Sequence, residues 1–259
     1  MTEENAANSN KKIAIITGGS RGLGRNAVLS LAKRGVRSIF TYHQNQAEAD
    51  KVVALATEAG APAIALQLDV AKASTFADFA QRVSAALGKM GTTRFDYLVN
   101  NAGTSSSATV ASGSEAELDE QFAVHFKGPF LLTQALLSLI NDGGRIINIS
   151  SGLARVTMPG RAIYGPMKAA VEALTRQMAQ ELGPRRIAVN MVAPGAIATD
   201  FSGGIVRDNP EVNKMVASHT AFGRVGQPDD VGPVIAALLS DDFGWVNAQR
   251  IEVSGGMQI

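Results

Sequence analysis

Short apolar runs alternate with longer amphipathic stretches along the 259-residue chain. The apolar runs fall at residues 13–16, 38–42, 64–68, 97–99, 145–149, 187–192 and 250–253. They are rich in Ile, Val and Leu and nearly continuous, as strands are when a parallel sheet is covered on both faces. Helical spacing occupies the intervals. One helix is expected over 25–34, directly after the first strand. Ser114 opens another, with Glu117 three residues on at the capping-box position. Between Pro166 and Leu182, the residues Met167, Ala170, Val171, Leu174, Met178 and Leu182 share one helical face. Strand and helix in this alternation predict a doubly wound α/β fold, a seven-stranded parallel sheet flanked by helices on both faces.

No Pro/Ser-rich linker, charge block or repeat divides the chain, so residues 12–259 are expected to form a single domain. The loosest stretch is 200–224, with Gly203, Gly204, Pro210 and Gly223. It is expected to be a mobile lid or a poorly conforming helix pair, and is read as a substrate lid. Residues 1–11 are polar and Asn-rich and read as a disordered tail. Charge is nearly balanced, 24 basic against 23 acidic residues, which argues against a nucleic-acid or membrane-surface partner. No apolar run reaches the ~18 residues of a membrane span, and the expected location is cytoplasmic. Cysteine is absent and His43, His125 and His219 lie at no metal-ligand spacing, so no metal is expected.

Thr17-Gly18-Gly19-Ser20-Arg21-Gly22-Leu23-Gly24 joins the first strand to the first helix. Glycines there permit tight turns and close backbone approach, and a helix N-terminus offers free N–H groups to a pyrophosphate. The second strand ends Thr41-Tyr42-His43-Gln44-Asn45, with no acid before Glu48. A dinucleotide site that prefers a free ribose 2′-hydroxyl usually carries an acid there. Its absence, with Arg21 in the loop and donors at His43, Gln44 and Asn45, points to a 2′-phosphate and so to NADP(H) over NAD(H). The alternative is a solvated Arg21 beside a neutral strand end. Tyr164 and Lys168 stand one helical turn apart on one face. A nearby ammonium favours the phenolate, so the pair suits proton transfer near neutral pH.

The ordered set of motifs resembles the short-chain dehydrogenase/reductase family over about residues 12–257. Besides the glycine loop it comprises Asp69-Val70, Asn100-Asn101-Ala102-Gly103, Ser151, Tyr164-x3-Lys168, and Pro194-Gly195 with Ile197 and Thr199 beyond. The resemblance implies a Rossmann fold that binds a nicotinamide dinucleotide along these segments. It implies Tyr164 as general acid/base, Ser151 on the substrate oxygen, and Lys168 lowering the Tyr164 pKa while holding the ribose. Many members carry Asn where this chain has His125, and that Asn holds a relay water. His125 is therefore either a substitute proton relay or a packed helix residue. Leu153, Met158, Phe201 and Ile205 are expected to line an apolar substrate pocket along with Ser151 and Tyr164.

The implied function is reduction of a ketone, or oxidation of a secondary alcohol. The alternatives are a 3-oxoacyl-ACP reductase, for which Arg185-Arg186 would dock the acidic carrier, and a non-catalytic NADP(H) sensor. Enoyl reductases of the superfamily usually space their Tyr and Lys more widely. A homotetramer, or homodimer, is implied through the fourth and fifth helices and the C-terminal strand, with Ala169, Ala170 and Ala173 permitting close helix approach. Ser254-Gly255-Gly256 stands where many members have Asp-Gly-Gly.

Overall fold

The computed structural model describes residues 12–258, so the tail expected over 1–11 lies outside the described residues. Its strands are β1 (Ile13–Ile16), β2 (Arg37–Tyr42), β3 (Ala63–Gln67), β4 (Phe95–Asn100), β5 (Ile140–Ile149), β6 (Ala188–Pro194) and β7 (Arg250–Val253). They form one sheet in the order β3-β2-β1-β4-β5-β6-β7, with every neighbouring pair parallel. This is the doubly wound Rossmann-type sheet that the sequence pattern predicts. The order reverses at β1, which opens a crevice beyond the strands' C-terminal ends.

The helices are α1 (Gly22–Ala32), α2 (Gln46–Glu58), α3 (Phe76–Lys89), α4 (Glu115–Phe122), α5 (Gly128–Leu136), α6 (Tyr164–Leu182), α7 (Ile205–Asp208), α8 (Pro210–Ser218) and α9 (Pro228–Leu238). On one face Ala14, Ile16, Phe40 and Val99 pack beneath Val28 and Leu31 of α1, Val52 of α2 and Ile235 of α9. On the other, Ile13, Ile15, Leu98 and Ile146 pack beneath Phe79 of α3, Leu132 of α5 and Leu174 of α6. Alternate residues of one strand thus feed opposite cores, which is why the strands read as unbroken apolar runs. Truncating a buried ring such as Phe79 to Ala would cost about 3–5 kcal/mol. Gly232 lets α9 lie against α1, since a Cβ there would stand 1.8 Å from the Asn26 side-chain oxygen.

Several boundaries differ from the expected ones for local reasons. The first pairing of β5 is Ile140 with Phe95, and the register then shifts across the polar Asn-Asp-Gly-Gly turn. Apolar periodicity has no purchase on that turn. Helix α6 begins at Tyr164, with Pro166 in its first turn, where a missing N–H leaves no bond unmade. Ser114 does cap α4, accepting from the Glu117 N–H at 3.2 Å. The Glu117 carboxylate does not return to complete a capping box; it accepts instead from Ser106 Oγ at 2.6 Å. Residues 201–218 fold as a turn at Phe201–Gly204, then α7 and α8. Ser202, Gly203 and Gly204 all have φ between 54° and 77°, which breaks the helical run. No helix among the described residues is long and apolar enough to cross a membrane.

Candidate active site

A cavity of about 720 Å³ lies at the C-terminal ends of the strands. One end is walled by the β1–α1 loop. Gly18 and Gly22 take φ +67° and +54° there. A Cβ on Gly24 would stand 2.1 Å from the Gly18 carbonyl oxygen, so only glycine lets the loop close this tightly onto α1. Arg21 is the N-cap of α1, and no side chain caps that helix or adds an acid to its first turn. Its first N–H groups therefore face the cavity with no side-chain acceptor, which suits a pyrophosphate. The residues present fit the dinucleotide.

Gly18, Ser20, Arg21, Gly22, Leu23 and Gly24 all line this end. So do His43, Asp69 and Val70 at the ends of β2 and β3. Asn101, Ala102 and Gly103 continue the wall from β4, and Pro194, Gly195, Ile197 and Thr199 from β6. Thr17 is not in the wall. Its hydroxyl accepts from the Asn101 and Ala102 N–H groups at 2.9 and 3.0 Å, so it fixes the loop from beneath. Tyr42, Gln44 and Asn45 also lie outside the wall, contrary to expectation. Tyr42 packs against the core, and Asn45 spends its side chain capping α2 through the Glu48 N–H at 3.1 Å. The Asp69 carboxylate is flanked by the Lys72 ammonium at 3.4 Å and the His43 imidazole at 3.6 Å.

Ser151, Tyr164 and Lys168 meet in the middle of the cavity. Ser151 leaves β5 in extended conformation, its Oγ accepting from the Leu153 N–H at 3.2 Å. The Lys168 ammonium donates to the Ile149 carbonyl at 2.8 Å and lies 5.7 Å from the centre of the Tyr164 ring. Burial dominates both groups. It pushes the Tyr164 phenol up to about 12, against the opposing pull of the Ser151 hydroxyl and the Arg161 charge. It pushes Lys168 down to about 7. The phenol is thus raised, where a lowering by Lys168 was expected. Desolvation outweighs the Ser151 hydrogen bond and the Arg161 charge there.

His125 does not line the cavity. It sits in a five-residue π-helical segment, Ala123–Lys127, between α4 and α5. Its ring stands edge-on to Tyr164, with centres 5.4 Å apart. Nε2 lies 2.8 Å from the Thr104 carbonyl oxygen, so Nε2 carries the hydrogen and donates it. Nδ1 is buried without a hydrogen-bond partner. Burial, and then the Lys168 charge, push the imidazole down to about 3.

The far end of the cavity is apolar. Leu153, Met158, Phe201 and Ile205 line it as expected. Val156, Val212, Met215 and Met257 join them, and sequence reasoning named none of these four. The spacing of Val212, Met215 and Val216 on α8 is one helical face and could have marked them. Arg185, considered for carrier docking, is at the opposite end of the sheet. It is tied to Asp142 and to the Leu137 and Ile140 carbonyls, ahead of β6.

Comparison with known proteins decides the lineage. A family model described as "Enoyl-(Acyl carrier protein) reductase" matches residues 18–258. The chain belongs to the short-chain dehydrogenase/reductase family. It is 36% identical to the tetrahydroxynaphthalene reductase PfmaG of Pestalotiopsis fici, covering 95% of this chain and 91% of that one. The solved structure of the reductase LugOII, described as catalysing keto-reduction at C1 in lugdunomycin biosynthesis, has a TM-score of 0.90 at 38% identity. That match covers 95% and 96% of the two chains. The angucycline C-6 ketoreductase LanV, solved with bound NADP, has a TM-score of 0.90 at 33% identity and 95% coverage of both chains. As a family member the chain is an NAD(P)-dependent oxidoreductase working between C=O and CH–OH groups.

Proposed function

We propose that this protein is an NADP(H)-dependent carbonyl reductase whose reaction centre is Ser151, Tyr164 and Lys168. The observation that carries the reading is their convergence in the cavity that the glycine loop and the open N-terminus of α1 also wall. The dinucleotide, when bound, supplies or accepts the hydride. Tyr164 donates a proton to the carbonyl oxygen through its Oη, and Ser151 hydrogen-bonds the same oxygen. Lys168, anchored on the Ile149 carbonyl, holds the ribose hydroxyls and stabilises the phenolate while protonated. The Tyr–Lys spacing of one turn is the carbonyl-reducing pattern rather than the wider enoyl-reducing one.

Arg21 is the cation for the 2′-phosphate. Asp69, the acid at that end, is already flanked by Lys72 and His43. LanV's bound NADP supports the same choice. His125 acts by position. Its Nε2–H is committed to the Thr104 carbonyl, and its depressed basicity leaves Nδ1 unprotonated near neutrality, so it holds the Gly103–Thr104 turn against Tyr164.

The apolar far wall suits a fused-ring or similarly hydrophobic ketone, in keeping with the substrates that the names of PfmaG and LanV imply. A 3-oxoacyl-carrier substrate lacks support from Arg185, which is engaged away from the cavity mouth. We also propose a cytoplasmic homotetramer or homodimer. Leu118, Phe122, Phe126 and Phe130 repeat at four-residue spacing along α4, the π-helical segment and α5, and three of them are 43% exposed. Ala169 and Ala173 are exposed on α6.

Titration with NADPH and NADH, followed by ketone-dependent NADPH oxidation, tests the reading. Tighter NADPH binding with turnover of β-tetralone is the expected result. Tight binding without turnover of any ketone would favour the sensor.

A further inference from the structure

The apolar half of the cavity carries one guanidinium that the reaction scheme above leaves unused. Arg161 lies in the turn three residues ahead of Tyr164 and lines the cavity with Val156, Met158 and Leu153. The turn is stitched to the loop after β4. Arg161 Nη1 donates to the Ser106 carbonyl at 2.7 Å, and the Ala162 N–H donates to the Ala108 carbonyl at 3.1 Å. That loop is itself held, since Ser106 Oγ donates to Glu117 Oε1 at 2.6 Å and accepts from the Ala108 N–H at 3.2 Å. The guanidinium is therefore fixed in place through one bond.

Among the described residues no carboxylate lies within 4.0 Å of it. The acids that line the cavity are Asp69, flanked by Lys72 and His43, Asp200, paired with Arg207, and the exposed Glu120. A guanidinium held in position, half-buried among apolar side chains and lacking a counter-ion, loses little freedom when it takes up an oxyanion. Its charge also reaches Tyr164, where it favours the phenolate.

We infer that Arg161 binds an acidic oxygen of the substrate, a carboxylate or the ionised hydroxyl of an enol or phenol, so that the preferred ketones carry such a group away from the reacting carbonyl. This rests on the carbonyl-reductase reading of the cavity. Glu120 opposes the same anion and limits how strongly it is held.

The test is calorimetric titration of the NADP⁺-saturated protein with β-tetralone and with a β-tetralone carboxylate. Reduction of β-tetralone by NADPH is followed in parallel. The wild-type protein should bind the carboxylate about tenfold or more tightly than the parent, as a charge-assisted contact implies. Arg161→Met should bring that ratio close to unity, Arg161→Lys should keep part of it, and Glu120→Gln should raise it. Equal affinities in the wild type, or a ratio that survives Arg161→Met, would overturn the inference while turnover of β-tetralone left the reductase reading standing. A protein that neither binds nor reduces either ketone would overturn both.

Discussion

Around the glycine loop the cavity is walled by backbone. Gly18, Gly22 and Gly24 hold a shape that a single Cβ would break, and Thr17 and Asn101 pin the loop from below. At the other end the wall is side chains: Leu153, Met158, Phe201, Ile205 and Met215, carried largely on turns and the two short helices α7 and α8. A wall of backbone tolerates few sequences, and so it fixes one ligand chemistry. Side chains on short helices can be exchanged without disturbing the sheet, so that end can change substrate while the first keeps its cofactor.

The largest effect expected of a change that leaves both walls standing is at their meeting point. Ser151→Ala should lower kcat by about a hundredfold or more, as loss of a hydrogen-bond donor to developing charge does, with NADPH affinity unchanged by titration. Next, Arg21→Ala should weaken NADPH by roughly tenfold or more and leave NADH within about twofold, on the scale of a charge-assisted bond to phosphate. An equal loss for both would move Arg21 out of the 2′-phosphate role. Met215→Ala should change the ketone KM severalfold and leave the dinucleotide Kd alone. A shift in both would mean that the two ends are not independent.

The smallest effect concerns His125. Its folded pKa is lowered from 6.5 to about 3. Between those values the unfolded chain binds a proton that the folded chain does not, so stability falls as the pH drops through that window. The slope is about 1.4 kcal/mol per pH unit where the difference is a full proton. Denaturant melts of His125→Asn should show a shallower acid slope. The pH–rate profile should match that of the wild type, because an amide can also donate to the Thr104 carbonyl. A displaced profile would return His125 to the role of proton relay.

What could be read from the sequence follows the same division. The sheet was legible because strands buried on both faces carry a nearly unbroken apolar signal, whereas the order β3-β2-β1-β4-β5-β6-β7 came from the structure. The glycine loop was legible from the strand and helix that flank it, and Tyr164 with Lys168 from their one-turn spacing, whereas Ser151 came only with the family resemblance. Helices α2, α3 and α9 were not individually foreseen. The Glu117 side chain followed a tertiary partner, Ser106, rather than the local capping rule. Tyr42, Gln44 and Asn45 stand outside the cavity wall, because sequence gives the end of a strand but not where its side chains turn. Met257 and Arg161 reach the cavity only through tertiary placement of turns, whereas Met215 carried a helical-face signal that was not used.

The most direct test of the central claim is the rate of NADPH oxidation by Tyr164→Phe with β-tetralone at saturating cofactor. The account predicts a fall of about a hundredfold or more, with the Kd for NADPH within about twofold of wild type. A variant that turned over at the wild-type rate, or lost turnover only in proportion to lost NADPH binding, would contradict it.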